Sequence, residues 1–156
     1  MITASIAPLT ISDVDQLTQL LQGQRADYLE HFHPFHFEFE SVQRELALAT
    51  LDRYWALRLN DSLVGFFMLR GLDAGYSRPS FGVMIAEEHS GKGLARLALT
   101  HALDWCRAQS IRRVMLKVAP ANTRALNAYL QAGFVPINTC KQSGQRIMEA
   151  ILEPSS

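Results

Sequence analysis

Cysteine is scarce in this chain. Cys106 and Cys140 are its only two, too far apart for a Cys-x-x-Cys pair. That spacing argues against a disulfide scaffold and fits a soluble protein of a reducing, cytoplasmic compartment. No apolar run approaches the roughly 18–20 residues that span a bilayer. The first residues lack the basic segment and apolar stretch of a secretory signal. No membrane partner is therefore expected. Gly/Ser- or Pro-rich linkers and internal repeats are also missing, so residues 1–156 are expected to form one domain. An excess of charge is missing too, with 15 basic and 15 acidic residues.

The balance hides a division. Residues 1–89 carry six Lys/Arg against twelve Asp/Glu, and residues 90–156 carry nine against three. The C-terminal part is thus suited to an anion, unless the two parts neutralise each other across a surface. Basic residues without interleaved aromatics do not resemble a single-strand nucleic-acid groove, and no nucleic acid is expected.

Local patterns give the elements. Ile2 to Pro8 reads as a strand, and Ser12 to Asp15 as a capping box opening a helix with Val14, Leu17, Leu20 and Leu21 on one face. Ser41 to Leu51 reads as a second helix. Tyr54–Leu59 and Leu63–Leu69 form a hairpin through Asn60, Asp61 and Ser62. Ser80–Ala86 is a strand, Gly93–Gln109 an amphipathic helix, Arg113–Val118 a strand and Asn122–Ala132 a helix ended by Gly133. Phe134–Cys140 and Gln145–Leu152 close the chain as a hairpin. The order β-α-α-β-β-β-α-β-α-β-β makes a mixed α/β domain.

Within it, Ser90 to Ala95 forms a strand-to-helix turn with Gly91, Lys92 and Gly93. Glycines there let backbone N–H groups at a helix N-terminus approach an anion such as a pyrophosphate, and Lys92 adds charge. The spacing matches neither a dinucleotide fingerprint nor a P-loop. A second motif follows: Asn122, Ala125, Tyr129, Gly133 and Phe134.

Together these two motifs resemble the GNAT superfamily of acetyl-CoA-dependent N-acetyltransferases. The resemblance implies a central, mostly antiparallel sheet flanked by helices, with acetyl-CoA as co-substrate. It implies that Val83, Met84 and Ile85 line the pantetheine arm, and that backbone N–H groups near Met84 polarise the carbonyl. Ser90, Gly91, Lys92, Gly93, Leu94 and Ala95 would hold the pyrophosphate, Asn122 would contact the cofactor, and Tyr129 would be the general acid at sulfur. A phenol suits that task, since it can hydrogen-bond a departing thiolate and donate as charge develops. Ser90 stands where the family usually has Gln or Arg. Lys117 stands where a ribosomal-protein subgroup has a glutamate base, which argues against that subgroup's mechanism.

The acceptor must lose a proton before it attacks the thioester. His33 and His36 are the base candidates, in a segment running from Leu29 to Glu40 that carries three His, three Glu and four Phe. Extended from Pro34, it would put Phe35, Phe37 and Phe39 on one face and His36, Glu38 and Glu40 on the other. In the family fold this connection borders the acceptor pocket, so His31, Phe35, Asp73 and Tyr76 are expected to meet the acceptor, and Arg70 and Arg78 could join them. Strand alternation spaces His36, Glu38 and Glu40 apart, and no His-x-x-x-His or Cys pair is present, so no metal is expected. The function expected is acetyl transfer to a primary amine of a small molecule, by direct attack in a ternary complex. A protein N-terminal or lysine acetyltransferase and a non-catalytic CoA sensor are the alternatives, and a homodimer stays open.

Overall fold

The computed structural model describes residues 3–153. Strands β1 (Ala4–Pro8), β2 (Arg53–Leu59), β3 (Ser62–Arg70), β4 (Ser80–Ile85), β5 (Arg113–Val118), β6 (Val135–Thr139) and β7 (Arg146–Ile151) alternate with four helices. These are α1 (Val14–Gln22), α2 (Phe39–Leu48), α3 (Leu94–Ala108) and α4 (Thr123–Gln131). Ile2, read as part of the first strand, lies outside the described residues. The strands form one sheet in the order β1-β2-β3-β4-β5-β7-β6, antiparallel except where β4 meets β5.

Apolar patterning explains the layers. The centres of β2 and β3 are buried on both faces, as their near-continuous apolar sequences require. Tyr54, Phe66, Met68 and Met84 face one way, beneath α1 and α2, with Val14, Leu17, Leu21 and Val42. Trp55, Leu57, Phe67, Leu69 and Phe81 face the other way, beneath α3. In β5 and β7 only Val114, Leu116, Val118, Met148 and Ala150 join that second core. The β2–β3 turn places Asn60 and Asp61 at φ +47° and +77°, the left-handed pair a tight hairpin demands.

Two local expectations are corrected. The cap before α1 lies earlier than Ser12 and Asp15. Thr10 N–H donates to the Asp13 carboxylate at 2.9 Å, and Arg58 holds the same carboxylate at 2.9 Å. That second partner, on β2, makes Asp13 the anchored acid. The aromatic connection is also not extended: turns and bends occupy 29–38, and Phe39 and Glu40 already belong to α2. Tertiary packing overrides the alternation. Phe32 packs edge-on and Phe35 tilted against Phe66 at 5.7 and 6.3 Å, and Phe37 packs on both at 6.3 and 6.0 Å. A straight strand would have sent Phe32 and Phe35 to opposite faces.

Candidate active site

The functional geometry begins where two strands part. β4 and β5 run parallel and pair only at Ser80 and Met115, so beyond that point they diverge into a wedge. Strand alternation fixes which groups face it. Ala86 N–H donates to Val64 carbonyl at 2.8 Å on β3, while Pro79 carbonyl accepts from Met115 N–H at 2.9 Å on β5. Even-numbered backbone groups of β4 therefore face β3, and odd-numbered ones face the wedge. The N–H of Met84 itself is turned to β3, and the donors near it that face the wedge are those of Val83 and Ile85. The Ile85 carbonyl, on the same side, accepts the Tyr28 hydroxyl at 2.5 Å.

A cleft of about 270 Å³ opens along this wedge. Val83, Met84 and Ile85 line one side and Lys117, Val118 and Ala119 the other. Asn122, Ala125 and Tyr129 contribute from α4, and residues 27–32 close the far side. Tyr129 packs edge-on against Phe134 at 5.9 Å, and burial pushes its phenol up to about 12. Asn122 accepts the Ala125 N–H at 3.2 Å, capping α4.

The glycine turn lies between β4 and α3. Gly91 and Gly93 adopt φ +77° and +82°, and Gly93 caps α3 in a left-handed conformation. A Cβ on Gly93 would meet nothing within 4 Å, and one on Gly91 would come 3.0 Å from Arg124 Nη1. The turn is thus open at one glycine and backed by a guanidinium at the other, a donor set suited to phosphate. Lys92 Nζ lies 3.4 Å from His89 Nδ1. Ser90, short where a long side chain was expected to secure the turn, closes it locally: its hydroxyl donates to the Glu87 carbonyl at 2.8 Å.

Of the acceptor candidates, His31 lines the cleft, beside Asp27 and Glu30, and its carbonyl accepts from Gln145 Nε2 at 3.5 Å. His33 and His36 do not line it. Both are exposed, and His33 stacks on Phe37 at 5.9 Å. Phe35 is packed among Tyr54, Phe66 and the Arg70 guanidinium rather than in the cleft. Asp73 accepts the N–H groups of Thr50, Leu51 and Asp52 at 3.1, 2.8 and 3.1 Å, and the Thr50 hydroxyl above all holds its carboxyl far below the usual range. Its role is to tie the loop before β2. Tyr76 lines a different cavity, of about 440 Å³, with Leu51, Arg53 and Trp105. Arg70 is taken up by the Pro34 carbonyl and Glu45, and Arg78 by Glu149.

The sequence reading missed Tyr28, Asp27, Gln145 and Arg124. Arg124 sits inside the second motif and was legible as a basic residue in the first turn of α4. Tyr28 carried no local signal, because its partner is 57 residues away. Among the described residues no group of three or more His, Cys, Asp or Glu could hold a metal ion, and no helix is long and apolar enough to cross a membrane.

Residues 16–134 match the model of the Acetyltransferase (GNAT) family. A spermidine N(1)-acetyltransferase of Vibrio cholerae is 33% identical over 75 residues, covering 47% of this chain and 43% of that protein. A streptothricin acetyltransferase of Streptomyces lavendulae is 35% identical over 52 residues, covering 33% and 28%. The matched stretches span less than half the length of these relatives. Among solved structures, a PaiA N-acetyltransferase from Thermoplasma acidophilum in complex with coenzyme A has a TM-score of 0.78 at 17% identity, covering 96% of this chain and 99% of that one. Mutant forms of the spermidine/spermine N-acetyltransferase SpeG from Vibrio cholerae give 0.73 at 21% identity, covering 96% and 95%. At such identities the structures show the fold alone.

Proposed function

Because the chain belongs to the GNAT family of acetyltransferases, we propose that residues 1–156 form one catalytic domain that moves an acetyl group from acetyl-CoA to a primary amine of a cationic small molecule. The observation that carries this reading is the single cleft joining the β4–β5 wedge, Tyr129 and the acidic 27–31 segment. The residues fit the donor. Val83 and Ile85 offer strand-edge N–H groups to an extended amide-bearing arm, and the Gly91–Gly93 turn with Lys92 and Arg124 offers N–H groups and charge to phosphates. Acetyl-CoA supplies the thioester. Asn122 shapes the mouth by capping α4, from which Tyr129 projects.

Direct attack forms a C–N bond and breaks the C–S bond, so the protein must remove a proton from the ammonium and stabilise a leaving thiolate. His31 is the base in this reading, since it is the histidine of the aromatic connection that lines the cleft. The wedge N–H groups of Val83 and Ile85 face the position where carbonyl charge develops. Burial pushes the Tyr129 phenol up, so it stays protonated and meets the departing thiolate as a neutral donor. Tyr129 therefore assists as a neutral hydrogen-bond donor to the thiolate, and solvent completes the protonation.

Asp27 and Glu30 at the cleft favour a cationic acceptor, and the spermidine acetyltransferase relative acts on an amine of that class. Lys117 in the opposite wall, where a ribosomal-protein subgroup has a glutamate, disfavours a copy of that subgroup's peptide chemistry. The test is thiol release from acetyl-CoA with a panel of amines: spermidine, putrescine, an amino sugar, amino acids and a short peptide. Release with the polyamines first is expected. Release with the peptide alone would overturn the acceptor assignment, and tight CoA binding without release from any amine would overturn catalysis.

A further inference from the structure

The segment Gln24–Tyr28, which runs from α1 into the cleft-lining residues, makes three polar contacts to the end of β4 and the turn after it. Gln24 Oε1 accepts the Glu87 N–H at 3.0 Å. Arg25 grips both Glu87 carboxylate oxygens, at 2.8 and 2.5 Å. The Tyr28 hydroxyl donates to the Ile85 carbonyl at 2.5 Å. Glu87 is also bound from the other direction, since its carbonyl accepts the Ser90 hydroxyl at 2.8 Å and the Ser90 N–H at 3.1 Å. Its N–H, carbonyl and carboxylate are all committed. It joins the acceptor segment on one side to the turn that opens into Gly91 on the other.

The Arg25–Glu87 pair is exposed on both partners, and such a pair holds little alone. It gains from its neighbours. Burial pushes the Tyr28 phenol up, so that it stays a donor, and three contacts from five consecutive residues meet Ile85–Glu87 in register. Residues 27–32, which begin within this segment, form the far wall of the cleft.

We infer that Arg25 and Tyr28 are positioning residues that carry the state of the anion turn to the acceptor wall. A ligand that orders the turn from Ser90 to Leu94 stiffens Glu87, and through it the segment bearing the base and the acidic residues. Acceptor affinity then depends on an occupied cofactor site. This inference rests on the cofactor reading above but goes beyond it, because neither residue would touch the cofactor's phosphates.

Hydrogen exchange with coenzyme A alone as the probe separates the two. In the wild-type chain, coenzyme A is expected to slow exchange at residues 90–95 and, at least fivefold, at residues 27–32. In the Arg25→Gln, Tyr28→Phe double variant, slowing at 90–95 should persist while that at 27–32 falls below twofold. Arg25→Lys in the Tyr28→Phe background should restore part of it. Retained slowing at 90–95 also shows that the variant is folded, and Tyr28→Phe alone serves as the milder variant should the double one fail to fold. Equal slowing at 27–32 in wild type and variant, or none in wild type despite slowing at 90–95, overturns the inference. No slowing at 90–95 in wild type overturns the cofactor reading itself. In steady state the double variant should raise the acceptor KM about tenfold with the acetyl-CoA KM within twofold; an unchanged acceptor KM would also refute it.

Discussion

Tyr129→Phe isolates the phenol. The ring is the part of Tyr129 that packs on Phe134, and phenylalanine keeps it, so the substitution removes one hydroxyl. No hydrogen bond within the described residues engages that hydroxyl, so its loss should leave folding stability unchanged within roughly 0.5 kcal/mol. The effect on turnover follows from the roles assigned. Burial pushes the phenol up and keeps it un-ionised, so it meets the departing sulfur as a neutral hydrogen-bond donor. What disappears is therefore a hydrogen bond to a charged group, worth about 1.5–3 kcal/mol. That converts to a fall in kcat of roughly 10- to 150-fold. Acetyl-CoA affinity should stay within about twofold, because the bond forms only as thiolate charge develops. The assay is steady-state thiol release with calorimetric CoA titration, and a melt as control. A kcat within threefold of wild type would remove Tyr129 from the mechanism. A loss above about 10⁴-fold would instead show full general-acid transfer and refute the hydrogen-bond argument.

Three further outcomes are expected. Gly93→Ala forces a Cβ into φ +82° with nothing nearby to clash, so it should cost about 1–2 kcal/mol of stability by denaturant melt and weaken CoA binding; an unchanged midpoint would refute the left-handed turn. Cys140, lowered to about 7 chiefly by the Ser143 hydroxyl, should be alkylated by iodoacetamide at neutral pH at least 100-fold faster than buried Cys106, which desolvation pushes to about 12; mass spectrometry of the two peptides decides it. Burial raises both Tyr54 and Tyr129 to about 12, so the folded state keeps protons that the unfolded chain releases near pH 10. The stability they contribute is complete below pH 10 and lost as pH rises toward 12, and Tyr54→Phe should flatten that alkaline decline in melting temperature.

Legibility in the sequence followed the range of the interaction. The bounds of β5 agree at both ends, because Val114, Leu116 and Val118 alternate on a strand with one buried face. The Asn60–Asp61 turn and the glycine turn were legible for the same reason: their conformations are set by the residues themselves. The segment from Leu29 to Glu40 was not. Its Phe-x-Phe spacing satisfies an extended pattern, yet Phe66 and Tyr54, more than a dozen residues on, draw Phe32, Phe35 and Phe37 into one cluster. That geometry leaves His33 and His36 outside the cleft, and His31 at the start of the segment lines it. Arg25, like Tyr28, carried no periodic or motif signal. Its meaning depends on Glu87, 62 residues away.

The charge division now has a structural reading. If the two parts merely neutralised each other, acids of residues 1–89 would pair with bases of residues 90–156. Among the described residues they do not. Asp13, Asp27, Glu45 and Glu87 pair with Arg58, Arg25, Arg70 and Arg25, all from the same part. The ion pair that crosses the division, Arg78 with Glu149, has the opposite sense. Contact pairing therefore leaves the asymmetry intact, and the wedge sets it across one cleft. Asp27 and Glu30 stand on the acceptor side, and Lys117 on the opposite wall. Lys92 and Arg124 mark the glycine turn. A field of this sense draws a polyanion to the turn and a cation to the 27–31 wall. Strand divergence at Ser80 and Met115 is what makes this possible, because a fully paired sheet would have closed the space between the two charge sets.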